Sequence, residues 1–259
     1  MRMKKVGVSM EKISKIVPVA EQIEIIPLGD LHLGSQNCRV DKIKDMIKYI
    51  SQQKDCYVIL MGDIFDCILG NDKRLDLSER GRAFLDILDD ATTLLTPIKE
   101  KIVCGLIGNH EYKLRKDGIG DPIFHLAERL GFKWAGFSCF VKFRAIPKTH
   151  RESLVIYCHH GWFAGRMRGS KVNNIERLAQ HYEADVYIVG HSHDIFSTRS
   201  VKISWGGDKN ILFVNSGSFL ETAPKGTVSY SERAGYPPQK LGVVKLKWYP
   251  KQGKIYATE

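Results

Sequence analysis

Residues 23–32 read Ile-Glu-Ile-Ile-Pro-Leu-Gly-Asp-Leu-His, a short apolar run that ends in a glycine, an aspartate and a histidine. Residues 57–66, Tyr-Val-Ile-Leu-Met-Gly-Asp-Ile-Phe-Asp, repeat that design. Apolar runs of this length, bounded by turn-forming residues, predict buried strands. Further runs of the same kind occupy residues 102–107, 154–158, 186–189, 211–214 and 241–248.

Segments with helical spacing of apolar residues separate these runs. The three apolar faces are Val40, Ile43, Ile47 and Ile50; Ala83, Phe84, Ile87, Leu88, Ala91 and Leu95; and Ile175, Leu178, Ala179 and Tyr182. Alternation of short strands with helices predicts layered α/β architecture. Residues 224–240, which contain several glycines and the pair Pro237 and Pro238, predict an irregular surface loop. We expect a single domain over residues 1–259, with its motif-bearing core at about 22–220.

The composition is that of an ordinary globular protein, with 43% hydrophobic and 26% charged residues in a chain of 259. No apolar run approaches the roughly 18 residues that a membrane span needs, and the first residues do not resemble an export signal. We therefore expect a cytoplasmic protein without membrane contact. The six cysteines form no Cys-x-x-Cys pair, and Cys104, Cys139 and Cys158 fall in apolar stretches, which predicts buried free thiols.

Lysine and arginine outnumber aspartate and glutamate by 39 to 29, which gives a formal charge of +10. Such an excess favours polyanionic partners such as DNA or RNA. The basic residues are scattered instead of forming one long run, so solubility alone would also account for them. Charge leaves both interpretations open.

Five of the apolar runs end in a cluster of aspartate, asparagine or histidine residues. The clusters are Gly29-Asp30-Leu31-His32, Gly62-Asp63-Ile64-Phe65-Asp66, Gly108-Asn109-His110-Glu111, His159-His160-Gly161 and Gly190-His191-Ser192-His193. Ligands of open α/β sheets bind at the carboxyl ends of strands, so these clusters can converge on one place. Each cluster alone is also typical of a turn, but five in succession favour a common site.

The residue types in these clusters favour a metal centre. Alternate residues of a strand share a face, so Asp30 with His32, and His191 with His193, can each present two ligands together. Imidazole, carboxylate and amide oxygen suit Mn, Fe or Zn better than Ca or Mg.

The ordered set Asp-x-His, Gly-Asp-x-x-Asp, Gly-Asn-His-Glu, a histidine after a strand and Gly-His-x-His resembles the calcineurin-like metallophosphoesterase superfamily. The resemblance implies an α/β fold, a two-sheet βαββ sandwich flanked by helices. It also implies a metal-dependent hydrolase of phosphate esters that uses two divalent ions, with Mn preferred and Fe or Zn as alternatives. Carried over by position, the metal ligands are Asp30, His32, Asp63, Asn109, His159, His191 and His193.

Asp30, His32 and His193 would hold one ion, and Asp63 would bridge to the second. The family offers one histidine where this chain has His159 and His160. We prefer His159 because it directly follows the apolar run 154–158, and His160 is the alternative.

Two divalent ions carry more positive charge than Asp30 and Asp63 neutralise, because histidine coordinates in its neutral form. Such a centre attracts a phosphate and lowers the pKa of a bridging water, so that hydroxide can attack near neutral pH. His110 matches the family position that faces the leaving group, and Asp66 would orient His110.

The substrate class follows from departures within the superfamily. Protein Ser/Thr phosphatases carry an arginine where this chain has Cys67, which disfavours phosphoprotein substrates, whereas Gly-Asp-Ile-Phe-Asp resembles bacterial and phage repair exonucleases. We expect phosphodiester hydrolysis, with DNA, RNA or a nucleotide as substrate. A phosphomonoesterase of small substrates is the alternative, and a catalytically silent binding scaffold is disfavoured because every motif position is filled.

Residues 161–171 mix aromatic, glycine and basic residues in one predicted loop that could cover the metal site. Arg166, Arg168 and Lys171 would bind substrate phosphates there, and Trp162 or Phe163 could stack on a base. A solvated basic loop without a binding role fits the same residues.

Overall fold

Two β-sheets pack face to face in the computed structural model, which describes residues 10–67, 84–146, 153–163, 165, 167–205, 207–224, 230–233 and 235–259. We number the strands β1 to β13 in chain order. The first sheet has the order β13 (Lys254–Thr258), β12 (Lys245–Tyr249), β2 (Ile23–Leu28), β3 (Cys56–Leu60), β4 (Ile102–Gly105) and β5 (Lys133–Trp134). The second has β1 (Glu11–Pro18), β6 (Ser138–Ile146), β7 (Ser153–His159), β8 (Val186–Val189), β10 (Gly207–Ser218) and β11 (Gly242–Val243), with β9 (Ile195–Ser204) paired to β10.

The core between the sheets consists of aliphatic side chains from both inner faces. Ile25 and Ile59 come from the first sheet and Val141, Ile156 and Ile188 from the second, all fully buried. Burial of each such side chain stabilises the fold by about 1.5–3 kcal/mol. The central strands are apolar on both faces because helices cover their outer sides.

Helices cover the outer faces of both sheets. α1 (Val40–Gln52), α2 (Phe84–Leu95) and α4 (Pro122–Leu130) pack on the first sheet, and α5 (Arg168–Leu178) packs on the second. α1 links the parallel strands β2 and β3, as a crossover between parallel neighbours requires. The described residues also form α3 (Asn109–Lys116), the short α6 (Tyr230–Arg233) and the 3-10 helices Thr96–Lys101 and Pro250–Gln252.

The predicted α/β class and two-sheet architecture are confirmed. The prediction missed several strands, including β6, in which Val141 and Phe143 are buried while Lys142 and Arg144 are exposed. It also treated residues 161–171 as one loop, which is wrong, because α5 begins at Arg168. Within the predicted irregular region 224–240, the described residues include α6, so that segment is not irregular throughout.

Two smaller expectations concern cysteines and membranes. All six cysteines are free, and Cys104, Cys139 and Cys158 are buried, as predicted. In the described ranges, none of the helices combines the length and the apolar content that a membrane crossing demands.

Candidate metal centre

Hydrogen bonds hold the loops that follow strands of the two sheets close together. The backbone N–H of Asp30, after β2, donates to Gly62 O at 2.9 Å, which ties the first two motif loops together. After β7 and β8 of the second sheet, the N–H of Gly190 donates to His160 O at 2.9 Å. The N–H of His191 then donates to Asp30 Oδ2 at 3.0 Å, which joins the loops of the two sheets.

Asp30, His32 and His193 form the first donor group. His32 Nε2 lies 3.0 Å from His193 Nε2, and His193 Nε2 lies 3.3 Å from Asp30 Oδ1. Asp30 and His32 are buried, whereas His193 is half-buried. These are the three residues that the resemblance assigned to one ion.

A second donor group contains Asn109, His160 and His191. Asn109 Oδ1 lies 3.0 Å from His160 Nε2 and 2.7 Å from His191 Nδ1. Asp63, His160 and His191 can hold an ion together, with the donor atoms within 4.8 Å of one another.

Asp63 stands between the two groups. Its Oδ2 lies 3.4 Å from His160 Nε2 in the second group and 4.0 Å from His32 Nε2 in the first. Its Oδ1 accepts a hydrogen bond from the backbone N–H of His110 at 2.9 Å, which fixes the carboxylate in this orientation. Asp63 therefore lies within 4.0 Å of a histidine from each donor group.

The structure brings His160 into the second group and leaves His159 out, so His160, the alternative from the sequence, is the histidine that we propose as the ligand. Side chains of β7 alternate, so that Tyr157 packs in the outer cluster with α5 while Cys158 lies between the sheets. By the same alternation, His160, two residues after Cys158, points to the side that faces the other sheet. His159 Nδ1 instead accepts the backbone N–H of Gly161 at 2.8 Å, and its ring contacts Trp162.

The backbone at the donor residues is strained. In the described parts of the chain, six non-glycine residues have positive φ, namely Asp30, His32, Asp63, Cys67, His191 and His193. Five of these six are predicted ligands. A left-handed non-glycine residue costs about 1–3 kcal/mol and persists where the surroundings hold it in place, most often at functional sites. The fold thus holds five predicted metal ligands in a strained backbone conformation.

Glycines before two motifs allow the loops to approach each other closely. A Cβ on Gly108 would lie 2.1 Å from Asp63 Oδ1 and 2.3 Å from the backbone nitrogen of Asp63. A Cβ on Gly62, whose φ is +87°, would lie 2.7 Å from His160 Nδ1. Any other residue at either position would push the donor groups apart.

Both central carboxylates are held in the charged form. Burial would raise the pKa of Asp30, but the hydrogen bond and charge of His193 outweigh burial and lower it. Burial opposes ionisation of Asp63 too, yet the charges of His160 and His110 hold its pKa well below the ordinary range. Burial lowers the pKa of His191 to about 4, which keeps its imidazole neutral. Asp30, Asp63 and His191 are therefore in the forms that bind metal. Burial would lower the pKa of His160, but the charge of Asp63 raises it to about 10, so a bound ion would displace the proton of His160.

His110 and Asp66 lie together beside the centre. Asp66 Oδ1 is 3.2 Å from His110 Nδ1 and 3.1 Å from His32 Nδ1, so one carboxylate contacts both imidazoles. His110 Nδ1 also contacts the backbone oxygen of Asp66, and its Nε2 lies 4.0 Å from Asp63 Oδ2. Although burial would raise the pKa of Asp66, these hydrogen bonds hold it below its ordinary value.

Glu111 is a site residue to which the sequence analysis gave no role. Its fully buried carboxylate accepts the backbone N–H groups of Asp63 at 3.0 Å, Phe65 at 3.0 Å and Gly108 at 2.8 Å. Burial, together with the charge of Asp63, raises the pKa of Glu111 to about 7. The sequence feature that could have indicated a role for Glu111 is its position inside the Gly-Asn-His-Glu cluster.

Arg168 contacts a carboxylate of the protein. Its guanidinium lies 3.2 Å from Asp194 Oδ1, and the buried Lys171 Nζ lies 3.4 Å from Asp194 Oδ2 and 3.3 Å from Ser192 O. Both cations therefore brace the loop that carries His191 and His193. Arg166, the other predicted phosphate contact, lies outside the described residues.

The donor set fits divalent transition-metal ions. It combines imidazole nitrogens with two anionic carboxylates and one amide oxygen, the mixture expected for Mn, Fe or Zn. The other ring nitrogens of two histidines also have partners, since His32 Nδ1 faces Asp66 and His160 Nδ1 lies 2.8 Å from Met61 O. Such contacts fix the ring orientation of ligating histidines.

Comparison with known proteins identifies one family. The model of the calcineurin-like phosphoesterase family matches residues 23–194, which hold both donor groups. A search of curated proteins gave no significant match.

Several solved structures are similar over most of the chain. They include a conserved uncharacterized protein of Streptococcus pneumoniae TIGR4, a predicted phosphoesterase (16% identity, 92% of this chain and 98% of that chain, TM-score 0.39). A metallophosphoesterase from Sphaerobacter thermophilus has 10% identity over 91% of this chain and 86% of that chain, with TM-score 0.40. Wild-type Vps29 of Entamoeba histolytica, complexed with Zn²⁺, has 11% identity over 91% and 97%, with TM-score 0.34. Since these TM-scores are low, the family assignment rests on the family model.

Proposed function

The chain belongs to the calcineurin-like phosphoesterase family of metal-dependent phosphoester hydrolases, and we propose that its substrates are phosphodiesters of nucleic acid or nucleotides. The observation that carries metal-dependent phosphoester hydrolysis is the position of Asp63, whose Oδ2 faces His160 of one donor group and His32 of the other. This arrangement supports a dinuclear centre, the type that clamps both the attacking and the leaving oxygen of a phosphoryl transfer.

In the proposed centre, Asp30, His32 and His193 hold one divalent ion, Asn109, His160 and His191 hold the other, and Asp63 bridges them. Mn is the preferred ion, with Fe or Zn as alternatives. When bound, the ions supply the positive charge that attracts a phosphate and the acidity that makes water a nucleophile near neutral pH.

The residues around the donors prepare the reaction. Asp66 holds the Nδ1 edge of His110, which leaves Nε2 on the side of Asp63, toward the proposed centre. We assign His110 the role of donating a proton to the departing oxygen, or of sharing a proton with it. Asp66 would orient the ring of His110. The same Asp66 orients His32, so one carboxylate aligns a metal ligand and the proposed acid.

The preference for diesters over monoesters rests on charge. The chain carries a formal charge of +10, and a long polyanion would benefit from basic residues that lie outside the metal centre. A small monoester would need only the charge of the centre itself.

To test the proposal, the protein is stripped with a chelator, reloaded with Mn²⁺ and assayed on a bis-aryl phosphodiester and an aryl phosphomonoester. We expect diester hydrolysis that requires metal and is lost in Asp63→Asn. Asp45→Asn, which replaces an exposed aspartate of α1, is the matched control and should keep full activity. Hydrolysis of the monoester alone would assign the chain to small-molecule phosphatases, and no hydrolysis with any divalent ion would refute the proposal.

A further inference from the structure

A row of four aromatic rings borders the metal centre. We call Tyr112, Phe137, His159 and Trp162 the aromatic ledge. Ring centroids are 5.4 Å apart for Tyr112 and Phe137, 6.4 Å for Phe137 and His159, and 4.8 Å for His159 and Trp162. The rings come from α3, from the residue before β6, and from the end of β7 and the loop that follows it, so separate elements bring these rings together.

The ledge touches the proposed ligands directly. The Phe137 ring lies 6.1 Å from the ring of His160, and Phe137 O accepts the backbone N–H of His160 at 3.0 Å. Tyr112 lies on α3, three residues after Asn109. A group seated on the ledge would therefore adjoin a phosphate at the metal centre.

The two ends of the ledge are open to solvent. Trp162 is 51% exposed and Tyr112 46% exposed, whereas Phe163, the other aromatic residue of the loop, is only 8% exposed. Phe163 packs in the outer core with α5 and has no face to offer a ligand. Exposed aromatic rings beside a phosphate site are the feature that stacks bases in single-strand binding proteins.

Basic residues accompany the ledge. α3 begins at the metal centre with Asn109, carries Tyr112 and ends with Lys113, Arg115 and Lys116. Arg115 contacts Asp121 and the Trp134 ring, while Lys116 is exposed. Along α3, the aromatic ring of Tyr112 and the exposed Lys116 therefore follow one another with increasing distance in sequence from Asn109.

We propose that the aromatic ledge is a base-binding subsite, which stacks an unpaired nucleobase of single-stranded nucleic acid while the adjoining phosphodiester lies at the metal centre. The inference rests on the proposed function, because it supposes a phosphodiester at the donor groups. It gives His159 a role in substrate binding in place of metal binding. It also predicts that the bases, as well as the phosphates, contribute to affinity.

The test measures binding without hydrolysis. Fluorescence anisotropy with the Mn²⁺-loaded protein compares a labelled single-stranded deoxythymidine oligomer with an abasic oligomer of equal length and charge, both with phosphorothioate linkages that resist hydrolysis. We expect the deoxythymidine oligomer to bind more tightly, and Trp162→Ala to weaken its binding about 5- to 140-fold, the range for loss of one stacked base. Trp162→Ala should change binding of the abasic oligomer less than about twofold.

Three further variants sharpen the result. Tyr112→Ala should weaken binding of the deoxythymidine oligomer in the same selective way, and Trp162→Phe should retain most of the affinity because it keeps an aromatic face. Trp205→Ala is the matched control, since Trp205 is fully exposed and lies at the connection of β9 and β10, apart from the ledge. Circular dichroism checks that each variant is folded.

The proposal is overturned if the wild-type protein binds the two oligomers equally or binds neither, or if Trp162→Ala weakens binding of both to the same extent. Hydrolysis of the bis-aryl phosphodiester with Mn²⁺, measured in parallel, distinguishes failure of the base-binding proposal from failure of the proposed function. If the protein hydrolyses that diester but shows no base-dependent binding, only the base-binding role of the aromatic ledge is refuted. If it hydrolyses no diester, the proposed function is refuted.

Discussion

The buried carboxylate of Glu111 holds the loop of Asp63 by accepting its backbone N–H at 3.0 Å. The same oxygen, Oε2, accepts the N–H of Gly108 at 2.8 Å, and Oε1 accepts that of Phe65 at 3.0 Å. One side chain therefore fixes the loops after β3 and β4 relative to each other. Its position explains how Asp63 keeps a left-handed backbone conformation, with φ of 48°.

Glu111→Gln should destabilise the protein. The amide has one acceptor oxygen and places an NH₂ group against a backbone N–H, so at least one buried donor loses its partner. We expect the free energy of unfolding to fall by about 1–3 kcal/mol, measured by urea denaturation. Glu128→Gln, at an exposed position of α4, should change it by less than about 0.5 kcal/mol. Equal stability of the two variants would contradict the bracing role.

His160→Ala and His159→Ala should differ in metal affinity. The structure places His160 Nε2 beside Asp63 and Asn109, while His159 turns toward Trp162. Isothermal titration with Mn²⁺ should show a loss of more than about 100-fold for His160→Ala, because loss of a ligand exceeds the roughly 10–100-fold effect of removing a residue that only hydrogen-bonds to a ligand. A loss of similar size in His159→Ala would restore His159 as the ligand.

His110→Ala should reduce turnover in a manner that depends on the leaving group. Loss of a general acid lowers kcat by about 10²–10⁴ for a poor leaving group such as an alkoxide. A nitrophenolate departs without protonation, so the loss should be much smaller with the bis-aryl substrate. Mn²⁺ affinity, measured by titration, should stay near that of the wild type. A loss of kcat that is equal for both substrates would argue against proton donation.

Asp66→Asn should affect both of the imidazoles that Asp66 contacts. The amide is a weaker partner for His32 and His110, so we expect lower Mn²⁺ affinity together with lower kcat on the poor leaving group. Removing a hydrogen-bond partner of a metal ligand typically costs about 10–100-fold in metal affinity or activity. Combining Asp66→Asn with His110→Ala tests the coupling, since effects on kcat should then be less than additive. Full additivity would indicate that Asp66 does not act through His110.

Lys171→Met should destabilise the protein because it removes a partner of the buried Asp194. Breaking a buried ion pair costs about 3–5 kcal/mol, and we expect about 3 because Arg168 still contacts Asp194. The matched control is Lys209→Met, which removes the more exposed Lys209–Asp185 pair and should cost less than about 1 kcal/mol. Urea denaturation distinguishes the two. A Lys171→Met variant as stable as the control would show that the brace is dispensable.

Much of the fold was predictable because the determinants are local. Apolar runs at 23–28 and 186–189 coincide with β2 and β8, and the apolar face around Ile43 and Ile47 coincides with α1. Less accurate were elements whose sequence signal is weak. β1, for example, is largely exposed, so it lacks a continuous apolar run, and α5 begins with polar residues that resemble a loop.

For the site, the amino-acid sequence by itself determined which donors exist and their order along the chain: carboxylate, imidazole and amide groups placed after apolar runs. It could not decide between His159 and His160, because β7 is apolar on both faces and neither side is marked as the interior. Nor could it show that Glu111 holds Asp63, or that Asp66 contacts two imidazoles. Those contacts join residues of different loops, and only the packing of the two sheets fixes which side chains of those loops meet.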